Sequence, residues 1–203
     1  MMKYCILIAG MPATGKSRFA QWLSKEIGIP YVSKDSVKEI LFDTLGFKSR
    51  NEKILLGEAA RDICYYFVEN QMRVGRTFIL ENNYEDSSKE GIQNLLQQYD
   101  YTPITVLFDG DINVIYKRFL ERENSPERHR GHIVNTVYPE TGEKHPYIPL
   151  SLEQFSSGME NRGFRRFSVG GIKITVDCTD FASVNYLEIL CKINEKIQVK
   201  RLP

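Results

Sequence analysis

The sequence predicts an α/β fold in which helices flank a five-stranded parallel sheet, and three observations carry that expectation. Five short apolar runs, at residues 4–9, 31–33, 77–80, 103–108 and 171–176, alternate with stretches whose apolar residues recur at helical spacing. The first run leads into Gly10-Met11-Pro12-Ala13-Thr14-Gly15-Lys16-Ser17, which fits the phosphate-loop pattern G-x-x-x-x-G-K-[ST] at every fixed position. Three of the later runs are followed by an acidic residue, Asp35, Glu81 and Asp109, at the strand ends where parallel sheets bind ligands.

The flanks decide how the loop is read. Residues 4–9 (YCILIA) are apolar without alternation, as in a strand buried on both faces, and residues 17–27 place Phe19, Ala20, Leu23 and Ile27 on one helical face. That strand-loop-helix context distinguishes the motif from a chance glycine-rich turn. Gly10 and Gly15 let the backbone turn tightly beside a phosphate, and the amides of Ala13, Thr14, Gly15, Lys16 and Ser17 can point inward at the helix N-terminus. Pro12 shapes the loop but has no amide hydrogen to donate. The Lys16 ammonium is expected to reach the terminal phosphates of a nucleoside triphosphate, and the Ser17 hydroxyl to ligate magnesium.

A chain of 203 residues suits one domain, 1–203, with a sizeable core. The net charge of +1 gives no global signal for nucleic acid, although a balanced total leaves room for a local basic groove. Cys5, Cys64, Cys178 and Cys191 form no C-x-x-C pair and fall in expected strands and helices, so they read as buried thiols of a reducing compartment. Met1-Met2-Lys3 before an apolar run superficially resembles a signal peptide, but cleavage would remove the strand from which the phosphate loop hangs. No apolar run approaches the roughly 18 residues of a membrane span, and a cytoplasmic protein is expected.

After the first helix, Gly28-Ile29-Pro30 marks a turn, and a helix over 36–45 is expected with Val37, Ile40, Leu41 and Leu45 on its inner side. Asp35, between strand and helix, has two readings that can both hold: a ligand-facing carboxylate or a helix N-cap. Residues 46–51 form a basic loop, and a long helix over 52–74 carries Ile54, Leu55, Ala59, Ile63, Phe67 and Val68 roughly in phase. A further helix spans 86–98. Either Glu81 or Asp109 is placed to support magnesium, and the sequence does not decide between them.

A helix over 112–123 carries Arg118 and Arg122 one turn apart, with Arg128, His129 and Arg130 following Pro126. Mixed with Glu121, Glu123 and Glu127, these arginines could be a solvated face; behind a phosphate loop they could supply positive charge to a migrating phosphoryl group, as a lid over 112–132. Residues 131–170 break the periodic pattern and read as an irregular, substrate-facing insertion. Tyr138, Tyr147, Phe155, Phe164 and Phe167 in it could wall a pocket or simply pack the segment down. His129, His132 and His145 match no metal spacing and read as surface or hydrogen-bonded histidines. The last strand leads through Thr179 and Asp180, either a plausible cap, into a helix ending near residue 196.

The stretches GMPATGKS, SKDSVKE around Asp35, ILENNY at Glu81, RFLERENSPERHRGH and VDCTDF, in this order, resemble the P-loop kinases of the AAA_33 or zeta-toxin-like group. That group includes bacterial polynucleotide 5'-kinases, chloramphenicol phosphotransferase and gluconate kinase, and the resemblance covers most of the chain apart from 131–170. It implies a P-loop NTPase sandwich with sheet order 2-3-1-4-5 and an arginine-rich lid. It also implies Asp35 as base toward the acceptor hydroxyl, Arg118 near the adenine, and Arg122 near the phosphates, with Arg128 and Arg130 at the end of the lid. Thr179 joins the nucleotide-binding residues. Lys38 stands where polynucleotide kinases often carry an arginine, a departure that bears on the acceptor.

The expected activity is therefore ATP- and magnesium-dependent transfer of the γ-phosphate to a hydroxyl of a small molecule, such as a nucleoside, sugar or antibiotic. Lys16, Asp35, Arg122 and Arg128 are its catalytic residues. A 5'-hydroxyl polynucleotide end is the alternative acceptor, and a regulatory ATPase without an acceptor is the rival of another class. The chain has no N-K-x-D guanine motif and no apolar run ending in an Asp-Glu pair.

Overall fold

The computed structural model describes residues 3–142, 144 and 146–199; His145 and the expectation attached to it lie outside these residues. Its regular elements are β1 (Tyr4–Gly10), α1 (Lys16–Ile27), β2 (Tyr31–Ser33), α2 (Lys34–Leu45), α3 (Arg50–Arg73), β3 (Phe78–Glu81), α4 (Lys89–Tyr99), β4 (Thr102–Asp109), α5 (Ile112–Glu123), α6 (Arg130–Ile133), α7 (Leu152–Arg162), β5 (Ile172–Asp177) and α8 (Tyr186–Val199). The strands form one sheet in the order β2-β3-β1-β4-β5, with every neighbouring pair parallel. No described helix is long and apolar enough to cross a membrane.

Both faces of the sheet are covered, which is why β1 needs no alternation. Its seven residues are all buried; Ile6 and Ile8 point into a core shared with α1, α5, α7 and α8, while Cys5, Leu7 and Ala9 point into one shared with α3 and α4. Three of the four thiols are buried as expected. Cys191 is exposed, because α8 turns Ile189 and Ile193 inward and leaves position 191 on its outer side.

Two helical faces differ from the sequence expectation. On α2 the buried residue is Phe42, while Ile40 and Leu45 are 64% and 66% exposed. On α3 the buried stripe is Lys53, Ala60, Cys64, Val68 and Met72, so Ile54, Leu55 and Ile63 face outward. The cause is tertiary. Phe42 is drawn into a third small core with Phe47 and Val134, and α3 presents its slimmer side to the helix beside it.

The segment 131–170 also departs from its expected irregularity. The described residues between 134 and 151 do lack regular helix or strand, but α7 follows, closed by a capping box in which Ser151 and Gln154 satisfy each other's backbone amides. Phe155 and Phe164 are fully buried in one core, and Phe167 in the other, stacked on Tyr84 at 4.5 Å. These three rings pack the fold and line no pocket.

Candidate functional site

The loop between β1 and α1 has the conformation its glycines allow. Gly10 and Gly15 take φ of 142° and 83°, and Ala13 is also left-handed at 64°. A Cβ at Gly10 would lie 2.4 Å from the Phe108 carbonyl oxygen, so only glycine lets β1 run this close to β4. Thr14 closes the loop internally by donating from its hydroxyl to the Met11 carbonyl at 2.8 Å.

Lys16 and Ser17, at the start of α1, converge on Glu81. The Lys16 ammonium lies 3.4 Å from the Glu81 carboxylate, and the Ser17 hydroxyl donates to it at 3.1 Å. Sheet register brings Glu81 there, since it stands beside Ile8 of β1 and Ser33 of β2, and the Ser33 hydroxyl donates to its other oxygen at 2.5 Å. A hydroxyl and a carboxylate so close are two hard oxygen donors of the kind magnesium takes beside substrate phosphates. Asp109 is placed differently. It accepts from the Gly110 amide at 2.8 Å and pairs with Arg165 at 3.2 Å, and its sheet neighbour is Asp177. Among the described residues, no group of three or more His, Cys, Asp or Glu side chains is arranged for a metal.

Asp35 sits in the first turn of α2, directly after β2, but it is not the cap of that helix. Ser33 is the N-cap, accepting from the Ser36 amide. Burial pushes the Asp35 carboxyl up, yet His132, Lys16, Lys34 and Lys38 outweigh it and hold the group down at about 2. Burial holds the His132 imidazole itself below its ordinary value. Asp35 is thus an ionised carboxylate beside the phosphate-loop lysine.

The arginines divide into distinct jobs. Arg118 donates to the Cys178 and Thr179 carbonyls at 2.5 and 2.7 Å, and its guanidinium lies 3.6 Å from the Phe181 ring centroid. Thr179 holds the β4 and β5 ends together, accepting from the Asp111 amide at 2.9 Å. Beside them a pocket of about 260 Å³ opens at the phosphate loop, lined by Thr14, Gly15, Arg18, Phe108, Phe181 and Tyr186 among others, with a mixture of apolar walls and one cation that suits a flat base. Arg122 and Arg128 share the buried Glu123 carboxylate at 2.7 and 3.0 Å. Arg130 is instead spent on Glu140, through two hydrogen bonds of 2.8 and 2.7 Å.

Several contributors carried no sequence signal. Lys53 on α3 donates to the His132 and Val134 carbonyls and to Asn135, at 2.8, 2.6 and 3.1 Å, and so ties the chain after α6 to α3. Burial lowers its ammonium to about 8. His129 and His132 are hydrogen-bonded, as expected of them, to Asp43 and Glu39 of α2 at 3.1 and 2.9 Å. Gly131 packs flat against Phe42, where a Cβ would lie 2.3 Å from the ring. The second half of the expected lid is thereby docked on α2 and α3.

The family model of the AAA domain, AAA_33, matches residues 5–138, which span the phosphate loop, Asp35, Glu81 and the arginine segment. The chain belongs to this family. No curated protein matches it in sequence. Among solved structures, a candidate kinase from Chloroflexus aurantiacus J-10-fl is 25% identical, with a TM-score of 0.71 over 98% of this chain and 97% of that one. A sugar kinase from Janibacter sp. HTCC2649 and a gluconokinase from Sinorhizobium meliloti 1021 are each 12% identical, with TM-scores of 0.56 and 0.55. They cover 97% and 98% of this chain and 95% and 98% of their own, and at that identity they share the fold alone.

Proposed function

We infer that this AAA_33 chain is a kinase that uses ATP and magnesium to phosphorylate a hydroxyl of a small molecule. The observation that carries the reading is the placement of Asp35: an ionised carboxylate in the first turn of α2, directly after β2, within the field of Lys16 and flanked in sequence by Lys34 and Lys38, which line an open pocket. A motor or regulatory ATPase needs a carboxylate that activates water, whereas this one stands in sequence between two lysines that line a space large enough for an acceptor. The kinase names of three structural relatives point the same way.

In this reading the loop amides and Lys16 bind the triphosphate, and Ser17 and Glu81 would hold magnesium. The metal, when bound, neutralises charge on the β- and γ-phosphates. The Lys16 ammonium, 3.4 Å from Glu81, would reach the phosphates from the same place. Arg118 and Phe181 shape the base side, and Thr179 supports that wall. Arg122 and Arg128, gathered by Glu123, supply positive charge to the migrating phosphoryl group. Asp35 orients the acceptor hydroxyl and takes its proton. With a value near 2 it is a weak base, so the proton moves late, as the new P–O bond forms and the hydroxyl becomes strongly acidic.

The direct test is transfer of label from γ-labelled ATP to a panel of hydroxyl compounds, with a 5'-hydroxyl oligonucleotide included. Labelled small acceptors are expected. Steady ATP hydrolysis with no acceptor labelled would discard the kinase reading in favour of a regulatory ATPase. The residues 112–132 are proposed to act as a lid that closes on the nucleotide and excludes water. Protease cleavage around residues 128–132 should then slow on adding an unhydrolysable ATP analogue, and unchanged cleavage would return these arginines to a solvated face.

A further inference from the structure

Cations that are scattered along the sequence meet in one pocket of about 360 Å³ between α2, α3 and the turn after β3. Lys34, Lys38, Arg50, Lys53, Arg61 and Arg162 line it, against only Glu58 and Glu85. Most of these charges are already used. Arg162 holds Glu85 at 3.2 Å, Arg61 its neighbour Asp62 at 3.2 Å, Arg50 donates to Asn135 at 3.3 Å, and Lys53 is committed to carbonyls. Lys34 and Lys38 are different: neither has a hydrogen-bond or ion-pair partner among the described residues, although both are partly buried and stand one helical turn apart. Asp35 is the nearby carboxylate that offsets them, Glu85 also acts on Lys38, and the Lys38 ammonium lies 5.3 Å from the Phe42 ring centroid; the two lysines still repel each other, and an anion between them relieves that cost.

Gly57 is the second observation. It lies inside the 24-residue helix α3, where glycine is a poor helix former, and a Cβ there would stand 3.3 Å from the Lys38 ammonium. The missing side chain is what gives Lys38 room to reach over α3 into the pocket. Asp35 lies between the two lysines in sequence, so the anion site is within a helical turn of the carboxylate that faces the acceptor hydroxyl.

We propose that this pocket anchors the acidic group of the acceptor through Lys34 and Lys38, so that the substrate is a small hydroxyl compound carrying a carboxylate or a phosphate. The inference rests on the kinase reading for the hydroxyl but not for the anion. The short spacing between the lysines and Asp35, and a volume suited to one small molecule, favour a five- or six-carbon acid or sugar phosphate over a long polyanion.

The test uses matched acceptors with labelled ATP: glucose with gluconate, ribose with ribose 5-phosphate, adenosine with adenosine 3'-monophosphate, and a 5'-hydroxyl oligonucleotide. The acidic member of at least one pair should show kcat/KM about 10- to 100-fold above its neutral partner, and which pair responds separates carboxylate from phosphate. Lys38→Met and Lys34→Met should each lose most of that preference, chiefly through KM. Gly57→Leu, which adds bulk against the Lys38 ammonium without removing a charge, should do the same. Equal use of neutral and acidic partners, or salt-sensitive labelling of the oligonucleotide alone, overturns the proposal.

A second measurement is independent of turnover. With the phosphate loop occupied by an unhydrolysable ATP analogue, calorimetric titration with inorganic phosphate and with gluconate should show binding of at least one. That binding should weaken about tenfold or more in the Lys34→Met/Lys38→Met double variant, with the analogue's own affinity retained. Unchanged binding in the double variant overturns the anion site even if the chain proves to be a kinase. Lysine-dependent binding without any labelled acceptor upholds the anion site and removes the kinase reading.

Discussion

Asp35→Asn should lower kcat by about two to four orders of magnitude while leaving ATP affinity within a few-fold of wild type, because the change removes a proton acceptor and almost no volume. The carboxyl is held at about 2, so it is ionised throughout the working range, and no change of pH above about 4 should restore the variant or inactivate the wild type through this group. Lys16→Ala should fail in another way. It strips the charge that meets the triphosphate, so nucleotide affinity and kcat should both fall, kcat by about 10²- to 10³-fold. It also leaves Glu81, 2% exposed, without its ammonium, though the Ser17 and Ser33 hydroxyls still serve that carboxylate and should keep the variant folded. Thermal melts establish that both variants fold; nucleotide titration and initial rates then separate them. If Asp35→Asn loses ATP as badly as Lys16→Ala, Asp35 belongs to the nucleotide or metal side, and the acceptor role assigned to it is wrong.

What could be read from the chain beforehand follows the range of the forces involved. The phosphate loop was legible because its requirement is local: glycines at positions of positive φ and a helix beginning at Lys16. The strand order came only with the resemblance, since no local period records which strands become neighbours. That order separates Glu81 from Asp109, because register places Glu81 beside β1 and β2 and places Asp109 beside β5. The inner faces of α2 and α3 were misread for a different reason. Both helices carry apolar residues on more than one side, and packing chose the side with Phe42 on one and with Ala60 and Cys64 on the other. The basic pocket was legible only as scattered cations, because Lys34, Lys38, Arg61 and Arg162 become neighbours only when α2, α3 and α7 pack. Helix α7 itself did leave a trace: Ser151 and Gln154 at capping-box spacing, then Leu152, Phe155 and Met159 on one face. Pro139, Pro146 and Pro149 just before it carry the loop pattern that masks that trace.

Phe155→Ala should destabilise the fold by about 3–5 kcal/mol, the usual cost of emptying a large buried aromatic site. Phe155 is fully buried and packs its ring against Phe119 and Tyr116 at 4.9 and 5.5 Å. Those two belong to α5, the helix that carries Arg118 and Arg122, and the Tyr116 hydroxyl donates to the Leu150 carbonyl at 2.6 Å just before α7 begins. The cavity cannot close easily, because α7 is fixed at one end by its capping box and at the other by the buried ring of Phe164. Denaturant unfolding should therefore show the midpoint falling with little change in slope, and the thermal midpoint should drop by roughly 10 °C. The same variant bears on function, since α7 also delivers Arg162 to the basic pocket, and loosening it should weaken the acceptor side more than the nucleotide side. A loss below about 1 kcal/mol would mean that residues 131–170 are a separable insertion after all, because a fully buried phenylalanine in a shared core is not removed so cheaply.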